Sequence, residues 1–334
     1  MNLIKYFTLF FVLINLFTYF LYYTDKKRAI QNKWRIREST LIFFTLSCGG
    51  IGAFFARRFL RHKTEKSKFK FFGVIGIFIA ITPIIHIAHS LTLDRIIVFR
   101  EITFYDSSWP SNLNGYRIAF LTDMHTISHE RMAEVVNELN SRDIDLLLLG
   151  GDFSSRNYHY RGSLREIANT IATDGIFGVE GNHDSHESLF YYKRSLGITP
   201  LNNTGYYIHE GFFVAGVHDM WNRTPNIELS TVAAGENSFI LLVSHNPDVT
   251  MSQNTNHINL TLSGHTHGGQ ITLFGWAFHL HLGFITNYGT RFTHSFAYSY
   301  DKTPVYTSSG VGDYYGWPRI FARPEVVIFT MYEN

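Results

Sequence analysis

Cysteine is almost missing from this 334-residue chain: Cys48 stands alone, inside an apolar run. No disulfide within the chain can form and no cysteine-based metal site can be built, so any metal must be held by His, Asp, Asn or Glu. Acidic residues are scarce at the front, where the first 91 residues hold three Asp or Glu against 14 Lys or Arg. Lysine is scarce at the back, which has only Lys193 and Lys302 and sets 15 basic residues against 24 acidic ones. A back half of that sign argues against a nucleic-acid partner, because such affinity draws on many basic phosphate contacts. Internal repeats and low-complexity tracts are absent as well. The total of +2 thus hides a basic, greasy front and an acidic globular back, an asymmetry that points to a membrane.

What the front does have is long apolar runs. Residues 3–23 are apolar and aromatic except for Lys5, Thr8, Asn15 and Thr18, which matches the ~20 residues that cross a ~30 Å hydrocarbon core. The run ends in Tyr22-Tyr23 and then Lys26, Lys27 and Arg28, an interfacial aromatic belt followed by cytoplasmic charge. No small-residue cleavage site follows, which argues against a removed signal peptide. Residues 71–91 form a second span, near whose end His86 and His89 read as partly buried interfacial residues. Residues 40–56 are the doubtful segment, with Gly49, Gly50 and Gly52 in the middle. Six basic residues precede it and seven follow (Arg57 to Lys70), so a simple crossing would place one cluster outside. Positive charge prefers the cytoplasmic side, which favours a glycine-broken re-entrant hairpin, a full crossing being the alternative. The reading is a multi-pass protein of a bacterial plasma membrane: residues 1–91 membrane domain, 92–115 linker and leading strand, 116–334 an extracytoplasmic globular domain. Asp25-Lys-Lys-Arg-Ala, Arg35-Ile-Arg-Glu-Ser-Thr-Leu, Gly49-Gly-Ile-Gly-Ala and Arg61-His-Lys-Thr resemble a small bacterial membrane-protein family of unknown function, which implies insertion and no chemistry.

From Arg95 the pattern turns to short strands alternating with helices. Strands are predicted at 96–105, 117–121, 146–149 and 176–179, with helices at 129–140 (capped by Ser128), 163–172 and 186–196. Later strands at 212–217, 239–243, 259–262, 305–307 and 326–330 are assigned to a second sheet. The fold class is therefore α/β, a sandwich of two mixed sheets flanked by helices and preceded by transmembrane helices.

Five polar clusters follow the apolar strands: Asp123-Met-His125, Gly150-Gly-Asp152, Gly181-Asn-His-Asp184, Ser244-His245 and Gly264-His-Thr-His267. Ligands in open α/β sheets bind outside the carboxyl ends of strands, so the clusters can converge. Alternate residues of an extended segment point the same way, which lets Asp-x-His and His-x-His each offer two ligands to one site. Carboxylate, amide oxygen and neutral imidazole together suit borderline divalent ions such as manganese, iron or zinc. A lone Asp-x-His is weak; five clusters in this order are not.

The order resembles the calcineurin-like metallophosphoesterase superfamily over about residues 117–331. Gly264-His-Thr-His-Gly-Gly-Gln270, His245-Asn-Pro-Asp248 and Arg323-Pro-Glu325 are similar to its membrane-associated bacterial branch, which includes enzymes that cleave UDP-diacylglucosamine. The resemblance implies two divalent metal ions, one on Asp123, His125 and His267, the other on Asn182, His245 and His265, with Asp152 bridging them. It implies a metal-bridging hydroxide as nucleophile, His183 as the group protonating the leaving oxygen and Asp184 orienting it. Thr126 replaces a glycine common after Asp-x-His, and the protein-phosphatase pattern is missing apart from Arg156, a candidate substrate contact.

The expected function is cleavage of a phosphodiester or pyrophosphate in a small or lipid-linked substrate; a membrane scaffold or transporter-like protein with an inactive hydrolase domain is the rival. No protein partner is inferable. Residues 274–292 are rich in Phe, Trp, Leu and Tyr. They read either as a loop that grips an acyl chain or bilayer, or as a core strand pair, which the alternation of 278–284 favours.

Overall fold

The apolar runs of the front become helices in the computed structural model. It describes residues 2–154, 161–184, 196–283, 285–314 and 317–334. Two units divide the chain, Met1–Leu91 and Thr92–Asn334. In the first, α1 (Asn2–Ile30), α2 (Glu38–Phe44), α3 (Gly50–Leu60) and α4 (Ser67–Leu91) are joined by basic loops, and a π-type turn at Thr45–Gly49 separates α2 from α3. Three stretches, Lys5–Ile30, Glu38–Leu60 and Ser67–Arg95, are long and apolar enough to cross a membrane.

In the second unit twelve strands form two six-stranded sheets among the described residues. The first sheet orders β1 (Val98–Asp106), β12 (Glu325–Glu333), β2 (Tyr116–Leu121), β3 (Leu146–Leu149), β4 (Ile176–Gly178) and β5 (Ile198–Pro200). All its pairs are parallel except β12 against β2. The second orders β10 (Ser295–Tyr298), β11 (Pro304–Thr307), β9 (Leu260–Ser263), β8 (Phe239–Val243), β7 (Phe212–Gly216) and β6 (Thr204–His209), antiparallel only at its two edges.

The two-sheet α/β sandwich read from the sequence is thus present, with one correction. The C-terminal strand belongs to the first sheet, where β12 pairs with β1 from Val98↔Glu325 to Asp106↔Glu333 and with β2 on its other side. Its apolar run is continuous because both of its faces are covered: Val327, Phe329 and Met331 face the second sheet, while Val326 and Ile328 face the outer helical layer. Strands at 198–200, 204–209 and 295–298 were not anticipated; they are short or exposed edge segments without a clear period.

The same two-faced burial explains Leu146-Leu-Leu-Leu149. Leu146 and Leu148 join Ile118, Phe120, Phe212, Leu241 and Leu262 between the sheets, and Leu147 and Leu149 pack under the helices. Those helices are α5 (His129–Asn140), capped by the Ser128 hydroxyl accepting from the Arg131 N–H, and α6 (Arg161–Ile167), shorter than the expected 163–172. The expected helix at 186–196 lies almost wholly outside the described residues.

Phe329 is fully buried between the sheets, its ring edge-on to Tyr306 and Phe296. Phe329→Ala is expected to destabilise the second unit by about 3–5 kcal/mol, read by urea unfolding of the full chain in detergent; a loss below about 1 kcal/mol would contradict the packing described.

Candidate metal centre

Each polar cluster sits at the carboxyl end of a parallel strand: β2 delivers Asp123 and His125, β3 Asp152, β4 Asn182 to Asp184, β8 His245 and β9 His265 and His267. Asp123, His125, Asp152 and His267 are buried, with ligand atoms all within 4.8 Å of one another. In this group His125 Nε2 lies 2.9 Å from His267 Nε2, and His267 Nε2 lies 3.3 Å from Asp123 Oδ1. A second group stands beside it. Asn182 Oδ1 is 2.9 Å from His265 Nδ1 and 3.1 Å from His245 Nε2, and the two imidazole nitrogens are 3.2 Å apart. Asp152 Oδ2 is 3.3 Å from both His125 Nε2 and His245 Nε2, so one carboxylate oxygen serves both groups.

The convergence is not the strand alternation anticipated from Asp-x-His and His-x-His. Asp123, His125, Asp152, His265 and His267 all have positive φ, between 38° and 72°. That region is uncommon for residues other than glycine, and its clustering here marks a site where surrounding structure overrides local preference. Two close approaches hold the turns. A Cβ on Gly264 would lie 2.2 Å from Asp123 Oδ2, and one on Gly181 would lie 2.2 Å from Asp152 Oδ1.

Hydrogen bonds fix two of the imidazole tautomers. His245 Nδ1 donates to the Gly150 carbonyl (2.7 Å) and His265 Nε2 donates to the Ile285 carbonyl (2.8 Å), since a carbonyl can only accept. His265 Nδ1 therefore offers a lone pair. It shares the space around His245 Nε2 with two further acceptors, Asn182 Oδ1 and Asp152 Oδ2. A positive charge must sit among them, either a proton on His245 or a metal cation. The donor set fits a divalent ion in each group.

The electrostatics agree. Burial lowers His265 to about 3 and His125 to about 4, and holds His267 well below its ordinary range, leaving these imidazoles neutral. Burial also pushes Asp123 up to about 7, against the pull of His245 and with the push of Asp152. For Asp152 burial acts upward too, but His245 and His125 outweigh it and keep the carboxylate ionised. Burial would deprotonate His245, yet Asp152 outweighs it and holds that imidazole well above its usual value.

His183 is half-buried at the edge of the centre, its ring 5.3 Å from that of His125 and its backbone N–H donating to Asp152 Oδ1 (2.8 Å). Asp184, expected to orient His183, spans two backbone turns. Its two oxygens accept from the backbone N–H groups of Phe153 and Gly181, 2.9 Å each, which ties the Asp152 turn to the Asn182 turn. Arg156 lies outside the described residues.

Several contributors were not among the candidate site residues, although Asp248 stands in the His245-Asn-Pro-Asp248 motif. Arg319, fully buried, donates to the carbonyls of His267, Ser309, Gly312 and Ala322 and so clamps the His267 turn onto the C-terminal loop. Asn222 Nδ2 donates to the Asn182 carbonyl (2.8 Å), and the Trp221 ring stands edge-on to His265 at 4.9 Å. Asp248 accepts from Thr286 Oγ1 (2.6 Å) and the Asn287 N–H (2.7 Å), fixing the segment whose Ile285 carbonyl sets the His265 tautomer.

A cavity of about 670 Å³ opens at the centre, lined by Asp152, Asn182, His183 and His267 on one side and by Trp221, Ile271, Phe278, Tyr314 and Trp317 among the rest. The predicted strand at 278–284 is instead a 3₁₀ turn, Phe278–Leu282, that buries only Leu280 and leaves Phe278 and Leu282 exposed. The apolar alternates Phe278, Leu280 and Leu282 thus do not share one environment, and Phe278 lines the cavity beside His279.

Comparison with known proteins adds a family to this geometry. Residues 116–269 match the family described as Calcineurin-like phosphoesterase, and residues 15–69 match a family described as a protein of unknown function. An uncharacterized metallophosphoesterase of Helicobacter pylori is 28% identical over 226 residues, covering 64% of this chain and 58% of that protein. A Danio rerio transmembrane protein with metallophosphoesterase domain is 28% identical over 242 residues, covering 65% of this chain and 53% of its own length. The phosphodiesterase YaeI of Escherichia coli is 29% identical over 245 residues, covering 66% and 83% respectively. The chain spans a little over half the length of the first two of these.

Two outcomes follow from the hydrogen bonding. Asp248→Asn removes one acceptor from the Thr286–Asn287 anchor and should weaken manganese binding about 10- to 100-fold, measured by titrating metal-free protein; unchanged affinity would detach Asp248 from the centre. Manganese uptake should also release at least one proton at neutral pH, because the raised pKa of His245 keeps it protonated until a cation displaces the proton. Binding then tightens as pH rises toward that pKa. Calorimetry in two buffers of different ionisation enthalpy reads the count, and zero protons would contradict the assignment.

Proposed function

The hydrolase unit carries a calcineurin-like phosphoesterase domain, and we propose that it is a two-metal phosphohydrolase cleaving a phosphodiester or pyrophosphate in an amphiphilic, lipid-linked substrate at a bacterial plasma membrane. The observation that carries this reading is the shared Asp152 oxygen, 3.3 Å from an imidazole nitrogen of each group. Asp123, His125 and His267 would hold one ion, and Asn182, His245 and His265 the other, with Asp152 common to both. A divalent pair supplies an acidified water and neutralises phosphoryl oxygens during in-line displacement.

The remaining work falls to the chain's own groups. The Ile285 and Gly150 carbonyls hold two imidazoles in the tautomers that turn lone pairs inward. Asp184 fixes the spacing of the Asp152 and Asn182 turns as a positioning residue. His183, on the cavity wall beside His125, would give a proton to the leaving oxygen, a role its position in the lining supports. Trp221, Phe278 and Trp317, each about half exposed along the cavity, suit a substrate whose phosphoryl group enters the polar end while an apolar portion lies against the rings.

The orientation is supported by charge. Thirteen of the 14 basic residues in the first 91 fall in 26–37 and 57–70, which positive charge bias assigns to the cytoplasm. Since α4 leads from the second cluster into the hydrolase unit, that unit faces outward.

Full-length protein in detergent with manganese should hydrolyse bis-p-nitrophenyl phosphate. Asp152→Asn should abolish turnover together with metal binding, whereas His183→Ala should keep its metal and lose about 10²- to 10⁴-fold in rate. A folded protein inactive with every divalent ion would turn the reading toward a scaffold.

A further inference from the structure

We infer that Glu38–Leu60 does not cross the membrane: it is a re-entrant hairpin that enters and leaves by one face, so that α1 and α4 alone span the bilayer. As a straight helix these 23 residues would hold their ends about 34 Å apart. In the structure the two ends meet. The carboxylate of Glu38, at the start of α2, takes Lys63 (2.7 Å) and Lys66 (2.6 Å) on one oxygen and Lys68 on the other. Fully buried Asp25 of α1 binds both ends as well. It accepts the Ile36 N–H (3.0 Å) and pairs with Arg35 (2.5 Å) from the entering side, and it meets His62 Nε2 (2.7 Å) from the leaving side. Lys26 donates to the Leu60 carbonyl at the same level.

The depth of the hairpin can be read along α1. Tyr22 meets Thr45 (3.0 Å), Gly49 lies against Thr18, and Asn15 meets the turn itself. From Lys26 to Asn15 the helix rises about 16 Å, roughly half of a ~30 Å core. Beyond that level α1 continues through exposed Leu13, Phe10 and Leu9, and α4 continues past Gly76 through exposed Phe78, Ile81 and Ile85. Those two helices have the length to finish the crossing; the hairpin has turned back.

A turn at that depth needs its backbone answered, because hydrocarbon offers no partner for an open N–H or C=O. Ser47 (ψ 50°) and Cys48 (φ 64°) break the helix. The side chain of Asn15 closes the gap: Nδ2 donates to the Cys48 carbonyl (3.0 Å) and Oδ1 accepts the Gly52 N–H (2.8 Å). The glycines let the turn sit between the two spans, since a Cβ on Gly50 would lie 2.0 Å from Gly76 backbone and one on Gly52 would lie 2.0 Å from the Asn15 carbonyl oxygen. One polar residue in an apolar span and three glycines in the doubtful segment thus have a common purpose.

The test is single-cysteine labelling of full-length protein in intact cells with a membrane-impermeant maleimide. Cys48, the only native cysteine, is first replaced in a Cys48→Ser background. Trp34→Cys reports the loop before the hairpin, Glu65→Cys the loop after it and Tyr300→Cys the hydrolase unit; all three side chains are well exposed. Trp34→Cys and Glu65→Cys should respond alike and opposite to Tyr300→Cys. Opposite responses from Trp34→Cys and Glu65→Cys would make the segment a full crossing and overturn the inference. In detergent, Asn15→Leu should lower the melting temperature by roughly 3–8 °C although it makes α1 more apolar; an unchanged or higher value would refute the closure of the turn by Asn15. None of these readouts depends on catalysis, so they stand or fall apart from the hydrolase reading.

Discussion

Asp152 is a buried carboxylate that His245 and His125 hold ionised, and the architecture of the second unit follows from what that requires. A buried charge must be met by opposite charge and by hydrogen bonds, or the group gives up its ionisation. Here His125 and His245 approach one oxygen, and the backbone N–H of His183 donates to the other. Those partners come from the ends of β2, β8 and β4, which lie in different sheets or at different places within one sheet. The sandwich is what brings them to a point, since its inter-sheet core holds the strands in register while their carboxyl ends are left to bend inward.

Bending inward has a conformational cost, concentrated in the five left-handed residues. A positive φ outside glycine persists only where the surroundings fix the turn more strongly than local sterics oppose it. Arg319 illustrates how. Its guanidinium, buried among four carbonyls, binds the His267 turn to residues 309–322. Asp184 does the same for the Asp152 and Asn182 turns from the opposite side. Both are ionisable side chains whose hydrogen bonds go mainly to backbone groups, so they act on geometry before they act on any ligand.

That distinction explains what could be read from the chain alone. Asp123, His125, Asp152, Asn182, His245, His265 and His267 were legible because chemistry restricts the residue types and the strands fix their order. The sandwich was legible because runs such as Leu146–Leu149 and Phe239–Val243 are apolar on both faces. The place of β12 was not: a strand buried on both sides says nothing about which neighbours bury it. Arg319 was opaque, since a side chain that binds carbonyls of distant segments leaves no spacing pattern; Asp248 stood in the His245-Asn-Pro-Asp248 motif, but nothing in the sequence showed what it holds. The run 278–284 misled because apolar residues alternate there in sequence while only Leu280 among the described ones is buried, so the spacing did not report burial.

The two units solve one problem with the same device. At the turn between α2 and α3 the open backbone of Cys48 and Gly52 meets the side-chain amide of Asn15. Beside the candidate metal centre the Thr286 hydroxyl and the open backbone N–H of Asn287 are held by the carboxylate of Asp248, so that the Ile285 carbonyl can face His265. In each place low dielectric makes an unanswered polar group expensive. A single polar side chain from a regular element or a fixed turn then determines where an irregular segment can rest. Loss of such a side chain acts at a distance: removing Asn15 or Asp248 leaves every apolar contact and every candidate ligand in place, and changes only which backbone conformation the surroundings can hold.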